Sequence, residues 1–208
     1  GEHCSGKHAG MLALAAHHGW PVEDYHRAQH PVQRRMAQET ARWTEVPEAE
    51  LVKGVDGCGV VAFGAGLNVI ALAYSRFARA AAQADPAARV WSAMRAAPEM
   101  VAGAGRLCTD LMQHVPGVLA KLGAEGVYVL AHPDEELGVA LKVADGARRA
   151  VAPAAVAVLG ELGLLEGVEA GALDDHGTPR IRNTRDEAVG ELRARIRLHH
   201  LVAPVHPA

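Results

Sequence analysis

The sequence predicts an α+β protein, with a helical region beside a mainly antiparallel sheet. Two observations carry this. Between residues 8 and 114, apolar side chains recur at helical spacing in Ala- and Leu-rich runs. From residue 126 the character changes: two β-branched runs flank a short polar turn, followed by one Ala/Val segment and a polar stretch with alternating residues.

Taken in order, HAGMLALAAHHG (8–19) reads as a helix that stops at Gly19, with Pro21 just beyond. A second helix runs from Pro31, which suits a first helical turn, to Trp43. PEAEL (47–51) reads as a short helical turn. VDGCGVVAF (55–63) is a Gly-flanked β-type run, either a strand or a buried loop. LNVIALAYSRFARAAAQ (67–83) is a strong apolar helix, residues 86–96 are another, and residues 98–101 with 106–114 form a third, broken at Gly103-Ala104-Gly105. GVYVLAH (126–132) and LGVALKVAD (137–145) form a hairpin. Residues 148–163 are an Ala/Val helix, and residues 174–198 hold a polar loop and at least one strand. No internal repeat or low-complexity linker divides residues 1–208, which read as one domain.

A chain of 208 residues buries roughly 70% of its unfolded surface. Half of its residues are hydrophobic but aromatics are only 4%, so the core must be built from Ala, Val and Leu. The net charge of −3 argues against a nucleic-acid or anionic-membrane binder, which needs a basic balance. No apolar run approaches the roughly 18 residues of a membrane span. The three cysteines, Cys4, Cys58 and Cys108, show no pairing pattern and suit a reducing compartment such as the cytoplasm. There are only four lysines: Lys7, Lys53, Lys121 and Lys142.

The densest chemistry is Cys4-Ser5-Gly6-Lys7-His8. Gly1, Gly6 and Lys7 match GxxxxGK, but a phosphate-binding loop needs Ser or Thr next to hold magnesium, and His8 stands there. What remains is a thiol and an amine three residues apart, on one face if the turn is helical. A cation and a helix N-terminus both favour a thiolate, hence a nucleophile or a metal ligand. The plain alternative is a small cysteine at a helix cap beside a solvated lysine. Cys58 lies in Asp56-Gly57-Cys58-Gly59, where the glycines admit close backbone approach; it is either a functional thiol or ordinary core. Spacing alone does not join Cys4 to Cys58. If they met, two sulfurs and one further ligand would suit zinc, and a lysine ligand would have to be deprotonated. Cys108 lies on an apolar helix stripe and reads as core. Lys142, in the apolar run Val139–Val143, is either an edge-strand lysine or an amine facing a cleft. The twelve histidines are scattered, without HExxH, and only His8 is distinguished by its neighbours. The arginines near the C-terminus are interleaved with acids and read as a solvated strand face.

Six blocks together resemble one family. CSGKHAGMLALA (4–15), VDGCG (55–59), PEMVAGAGRLCTDLM (98–112), KLGAEGVYVLA (121–131), GVALKVADGARRA (138–150) and VGELRARI (189–196) resemble, in order, the rhizobial-type (type II, thermolabile) L-asparaginases. His3 departs from the Asn usual there. The resemblance implies an amidohydrolase that converts L-asparagine to aspartate and ammonia. It implies a fold like that of serine β-lactamases and glutaminases, an antiparallel sheet packed with a helical region, and a homodimer. By resemblance, Cys4, Lys7 and Cys58 bind zinc, His8 and Asp56 lie near the substrate, and Lys142 corresponds to the catalytic lysine of the KTG motif of β-lactamases. The family also carries chain ahead of CSGK, with a Ser-x-x-Lys nucleophile pair that these 208 residues do not contain. The expectation is therefore the C-terminal two thirds of an asparaginase-like catalytic domain, lacking its N-terminal portion. The alternative is a catalytically silent homologue that binds zinc or a small amino acid.

Overall fold

In the computed structural model, residues 4–83 and 86–199 are described. The chain forms two compact units, Gly1–Ala73 and Tyr74–Ala208. Helices and small antiparallel sheets make up both, a mixed architecture compatible with the predicted α+β class.

In the first unit, α1 (Ser5–His17) and α2 (Pro31–Thr44) enclose a small core. Met11 and Ala15, four residues apart on one face of α1, bury against Val32 of α2 and against Val60, with Trp20, Tyr25 and Met36 at the margin. Helix α1 ends where the sequence says it should. Gly19 takes φ +66°, and the Trp20 N–H reaches back to the Ala15 carbonyl, the bond that closes a glycine-capped helix end. Helix α2 starts as predicted at Pro31, and His30 caps it: its Nδ1 accepts from the Val32 N–H at 3.2 Å, and its Nε2 donates to the Pro21 carbonyl at 2.9 Å. A single turn of 3₁₀ helix, Glu48–Glu50, precedes the hairpin of β1 (Val52–Val55) and β2 (Val61–Gly64). The β-type run 55–63 thus resolves into the end of one strand, a turn and the start of the next. Val60 alone of this turn plugs into the core, 1% exposed, while Cys58 two residues earlier stands in solvent.

Helix α3 (Leu67–Ala81) carries Tyr74, Phe77 and Ala78 into the core of the second unit. Helices α4 (Pro86–Ala96), α5 (Pro98–Ala102) and α6 (Leu107–His114) follow, with the predicted break at Gly103, whose φ is +96°. The buried hydroxyl of Thr109 lies 2.6 Å from the Gly103 carbonyl and 3.2 Å from that of Pro98, which binds α6 to the end of α5. Strands β3 (Leu119–Leu122), β4 (Val127–His132) and β5 (Leu137–Lys142) form an antiparallel sheet in that order. Strand β4 is its centre: Tyr128 to Ala131 are all nearly inaccessible. Helices α4, α5 and α6 pack on β3, and α7 (Val151–Glu161) packs on β4 and β5. Cys108 is 3% exposed in this core, as its helix stripe predicted. The short α8 (Asp174–Gly177) and an exposed hairpin of β6 (Arg180–Arg182) and β7 (Ala188–Glu191) complete the described fold.

The run 192–198 keeps its predicted alternation, with Leu192, Ala194 and Ile196 half-buried and Arg193, Arg195 and Arg197 exposed. It has no ladder partner among the described residues. No helix of the described residues is long and apolar enough to cross a membrane.

Candidate functional site

Helix α1 carries the first part of the site. Counting back along its buried face from Ala15 and Met11 leads to His8, Lys7 and Cys4, so the same stripe that anchors the helix presents these three side chains at its N-terminal end. Cys4 is the N-cap, and its carbonyl accepts from the His8 N–H at 3.1 Å. Its own side chain makes no capping bond, so the thiol is not used up by the helix end.

The β1–β2 turn carries the second part. Asp56 builds the turn with one oxygen: Oδ1 accepts from the backbone N–H of Cys58 at 2.8 Å and of Val60 at 3.2 Å. Gly59, at φ +81°, closes the turn with an N–H bond of 3.0 Å to the Asp56 carbonyl. The other oxygen of Asp56, Oδ2, accepts from Lys7 Nζ at 2.6 Å. That ion pair joins residues 49 apart in sequence and brings the turn against the first turn of α1. The Cys4 and Cys58 thiols thereby come within electrostatic reach of each other, and the Lys7 ammonium acts on both sulfurs.

The electrostatics follow from this packing. Burial disfavours the charged form of Lys7, but the hydrogen bond and charge of Asp56, with the two sulfurs, lift its pKa above the ordinary value. Burial pushes the Asp56 carboxyl up, yet the bonds from Lys7, Cys58 N–H and Val60 N–H together hold it below the usual range. The neighbouring Cys4 thiol, then desolvation and the Asp56 charge, raise the Cys58 thiol, which Lys7 partly offsets. Lys7 therefore sits as an ammonium against Asp56, and must give up that proton and that partner to serve as a metal ligand.

His8, on the same helix turn, points to a residue that the sequence did not single out. Its Nδ1 lies 2.6 Å from the Tyr25 hydroxyl, and the two rings meet edge to face. Tyr25 is held in turn by Gln33, whose Nε2 donates to the Tyr25 carbonyl at 2.9 Å. Nothing in Val22-Glu23-Asp24-Tyr25 marks this tyrosine; its position comes from the fold of the α1–α2 connection.

Among the described residues, no three His, Cys, Asp or Glu side chains gather as a metal site. The donors that do gather are two thiols and one amine. That set suits a tetrahedral, thiophilic ion with an open position, provided Lys7 is released by Asp56.

Lys142 lies in the second unit, at the end of β5. Its ammonium donates to the Glu125 carbonyl at 2.6 Å and to the Val143 carbonyl at 2.7 Å, which leaves one of its three N–H donors for another partner. A turn follows it: Gly146 has φ +73°, and Asp145 accepts from the Ala147 N–H at 2.9 Å and from Arg149 at 2.6 Å.

The α+β framework, the thiol–amine–carboxylate cluster and the lysine on a late hairpin strand are the features to compare with known proteins. The family model for L-asparaginase II matches residues 1–194. The chain belongs to the L-asparaginase II family. No curated protein matches it.

Proposed function

We propose that the chain acts as an L-asparagine amidohydrolase, adding water across the side-chain amide to give aspartate and ammonia. The observation that carries this is the family match over residues 1–194, which takes in every motif that forms the cluster. In this reading both units belong to one asparaginase-like catalytic domain with a β-lactamase-like fold, acting in the cytoplasm as a homodimer.

The residues divide the work as follows. Asp56 supplies the negative charge that an amino-acid ammonium group requires. His8, with Nδ1 committed to Tyr25, keeps Nε2 to hydrogen-bond the substrate. Lys142 moves a proton at the reacting amide. Cys4, Cys58 and Lys7 would hold zinc, whose donor requirements their chemistry fits. Zinc bound there supplies a Lewis-acidic centre beside the substrate.

Ammonia release from L-asparagine tests the activity, both with residues 1–208 and with the complete product of the gene. Release in either sample, lost in Lys142→Ala, supports the reading. No release from either ends it. Metal analysis of Cys4→Ser and Cys58→Ser tests the zinc site, and unchanged stoichiometric zinc in both variants would remove it.

A second reading is favoured by one observation. None of Ser5, Ser75 and Ser92, the three serines of the sequence, has a lysine three positions on. A lysine-activated serine of the Ser-x-x-Lys type is therefore absent from residues 1–208. On this reading the chain binds zinc or a small amino acid without hydrolysing it. Calorimetric binding of L-asparagine with no ammonia produced would select this reading.

A further inference from the structure

A tight turn closes the hairpin between β3 and β4, and its backbone reaches the lysine at the end of β5. The Val127 N–H bonds the Ala124 carbonyl at 3.0 Å, and the two residues between them are both left-handed, Glu125 at φ +53° and Gly126 at φ +69°. That is the type I′ arrangement, whose first central position favours Asn, Asp or Gly. Glu takes it here against its own preference. The turn is also pinned from outside the hairpin. The Gly126 carbonyl accepts from the Val143 N–H at 3.0 Å, just past the end of β5. A Cβ on Gly126 would lie 2.8 Å from Val143 Cβ and 3.3 Å from the Gly146 carbonyl, and one on Gly146 would lie 2.6 Å from Oε2 of Glu125. Two glycines thus let the β3–β4 turn and the turn after β5 close on each other, and the Glu125 carbonyl comes to 2.6 Å from Lys142 Nζ. The Val143 carbonyl meets the same nitrogen at 2.7 Å while also accepting the Gly146 N–H at 3.0 Å.

We propose that the Glu125 and Val143 carbonyls are a positioning device for Lys142, which leaves its Nζ one vertex through which to exchange a proton. The nitrogen is tetrahedral. Cε takes one vertex, and the N–H groups held by the two carbonyls take two more. In the ammonium the fourth vertex carries the proton to be given; in the amine it carries the lone pair that takes one back. Carbonyls only accept, so neither competes for that lone pair. A long side chain on an exposed strand end would otherwise sample many rotamers, and here that freedom is surrendered before a substrate arrives. The inference rests on the reading of Lys142 as the residue that moves a proton at the amide. It adds Glu125, Gly126 and Val143 as positioning residues that act through their backbone. The Glu125 carboxylate has no part in it.

The test is NMR of the isotope-labelled 208-residue chain at mildly acidic pH and low temperature, where lysine ammonium protons exchange slowly. The Lys142 signal is identified by its loss in Lys142→Met. The expected result is a through-hydrogen-bond coupling from Lys142 Nζ to the carbonyl carbons of both Glu125 and Val143. Glu125→Ala, which removes the carboxylate and keeps the carbonyl, should retain both couplings. Gly126→Ala, strained at φ +69° and pressed against Val143, should lose the coupling to Glu125. In the complete product of the gene, that variant should lower kcat for ammonia release from L-asparagine roughly a hundredfold, with KM within about twofold. Absence of either coupling in the unsubstituted chain would overturn the proposal. So would loss of the couplings in Glu125→Ala, or an unchanged kcat in Gly126→Ala once the Glu125 coupling is gone. A complete product that releases no ammonia ends the hydrolase reading, and the couplings then decide the positioning of Nζ by themselves.

Discussion

The two oxygens of Asp56 face different partners: Oδ1 takes the Cys58 and Val60 N–H groups and Oδ2 takes Lys7. Two substitutions separate these contacts. Asp56→Asn keeps an acceptor for the turn and loses the ion pair, which is partly exposed and screened, so it should cost at most about 1 kcal/mol. Asp56→Ala also strips the turn of its acceptor and should cost about 1–2 kcal/mol more. Urea unfolding of the three proteins at neutral pH measures both, and equal losses in the two variants would contradict the division. The pH dependence has a fixed sign. The folded-state pKa of Asp56 lies below its ordinary value of 3.8, so its contribution is present above that value and is lost as pH falls through the folded pKa. Asp56→Asn should lack that acid limb. Much of this site could be read from the sequence: Cys4, Lys7 and His8 are neighbours in the chain, and the family's motifs named Cys58 and Asp56. The approach of the turn that bears Cys58 to the helix end that bears Cys4 could not be read from spacing, because it depends on one long-range ion pair and on Val60 seating the turn. Tyr25 was invisible for the same reason: its role is a contact, not a pattern.

At the level of elements, the connection from α6 to β3 depends on a glycine. Gly117 has φ +73°, and a Cβ there would lie 2.3 Å from Nε2 of His132, the ring nitrogen that meets the Pro116 carbonyl at 3.2 Å. Gly117→Ala must therefore move both the loop and the end of β4. It should destabilise the protein by more than the roughly 1–2 kcal/mol of a left-handed alanine alone; a smaller loss in thermal unfolding would show that His132 gives way freely. A second tie joins α8 to α6, where His176 Nε2 and Asp110 Oδ2 meet at 2.6 Å in a partly buried setting. Asp110→Ala should cost about 1–2 kcal/mol, whereas Asp175→Ala, on the exposed side of α8, should stay within about 0.5 kcal/mol. Equal effects in urea unfolding would remove the tie from the account. The long elements were legible because each has its own punctuation: Pro31 opens α2, Gly19 closes α1, and Gly103 breaks α5 from α6. Strands β1 and β3 were not. Leu119-Ala120-Lys121-Leu122 has no alternation and weak β-formers, and becomes a strand only because β4 supplies its ladder. Val52-Lys53-Gly54-Val55 is exposed throughout, so burial left no trace in its residues. The alternating run 192–198 is the converse case, since a strand pattern yields a ladder only when a neighbouring strand is there to pair with it.

For the molecule as a whole, the two cores differ in depth. The first unit gathers Met11, Ala15, Val32 and Val60, while the second builds a continuous cluster around β4, α6 and α7. Hydrogen exchange should follow that difference, with β4 amides opening only on global unfolding and α1 amides through smaller local openings. The deeper core also sets an alkaline limit. Tyr128, 1% exposed with its hydroxyl unpaired, is pushed far above the ordinary tyrosine value of 10.0 by desolvation, with Cys108 and Asp110 adding to it. Desolvation raises Tyr74 as well. The folded state therefore refuses ionisation that the unfolded chain accepts. The stability tied to these two phenols is complete below pH 10 and falls as the pH rises beyond it, because only the unfolded state then gains by releasing the protons. Of the three tyrosines in the sequence, Tyr74 and Tyr128 should thus contribute tyrosinate absorbance near 295 nm only as helical ellipticity is lost. Tyr128→Phe, which removes the unpaired buried hydroxyl and keeps the ring, should shift the alkaline unfolding midpoint upward and leave the neutral-pH structure unchanged. Absorbance for all three tyrosines with ellipticity intact would mean that base reaches Tyr128 in the folded state, and would overturn the packing described for β4.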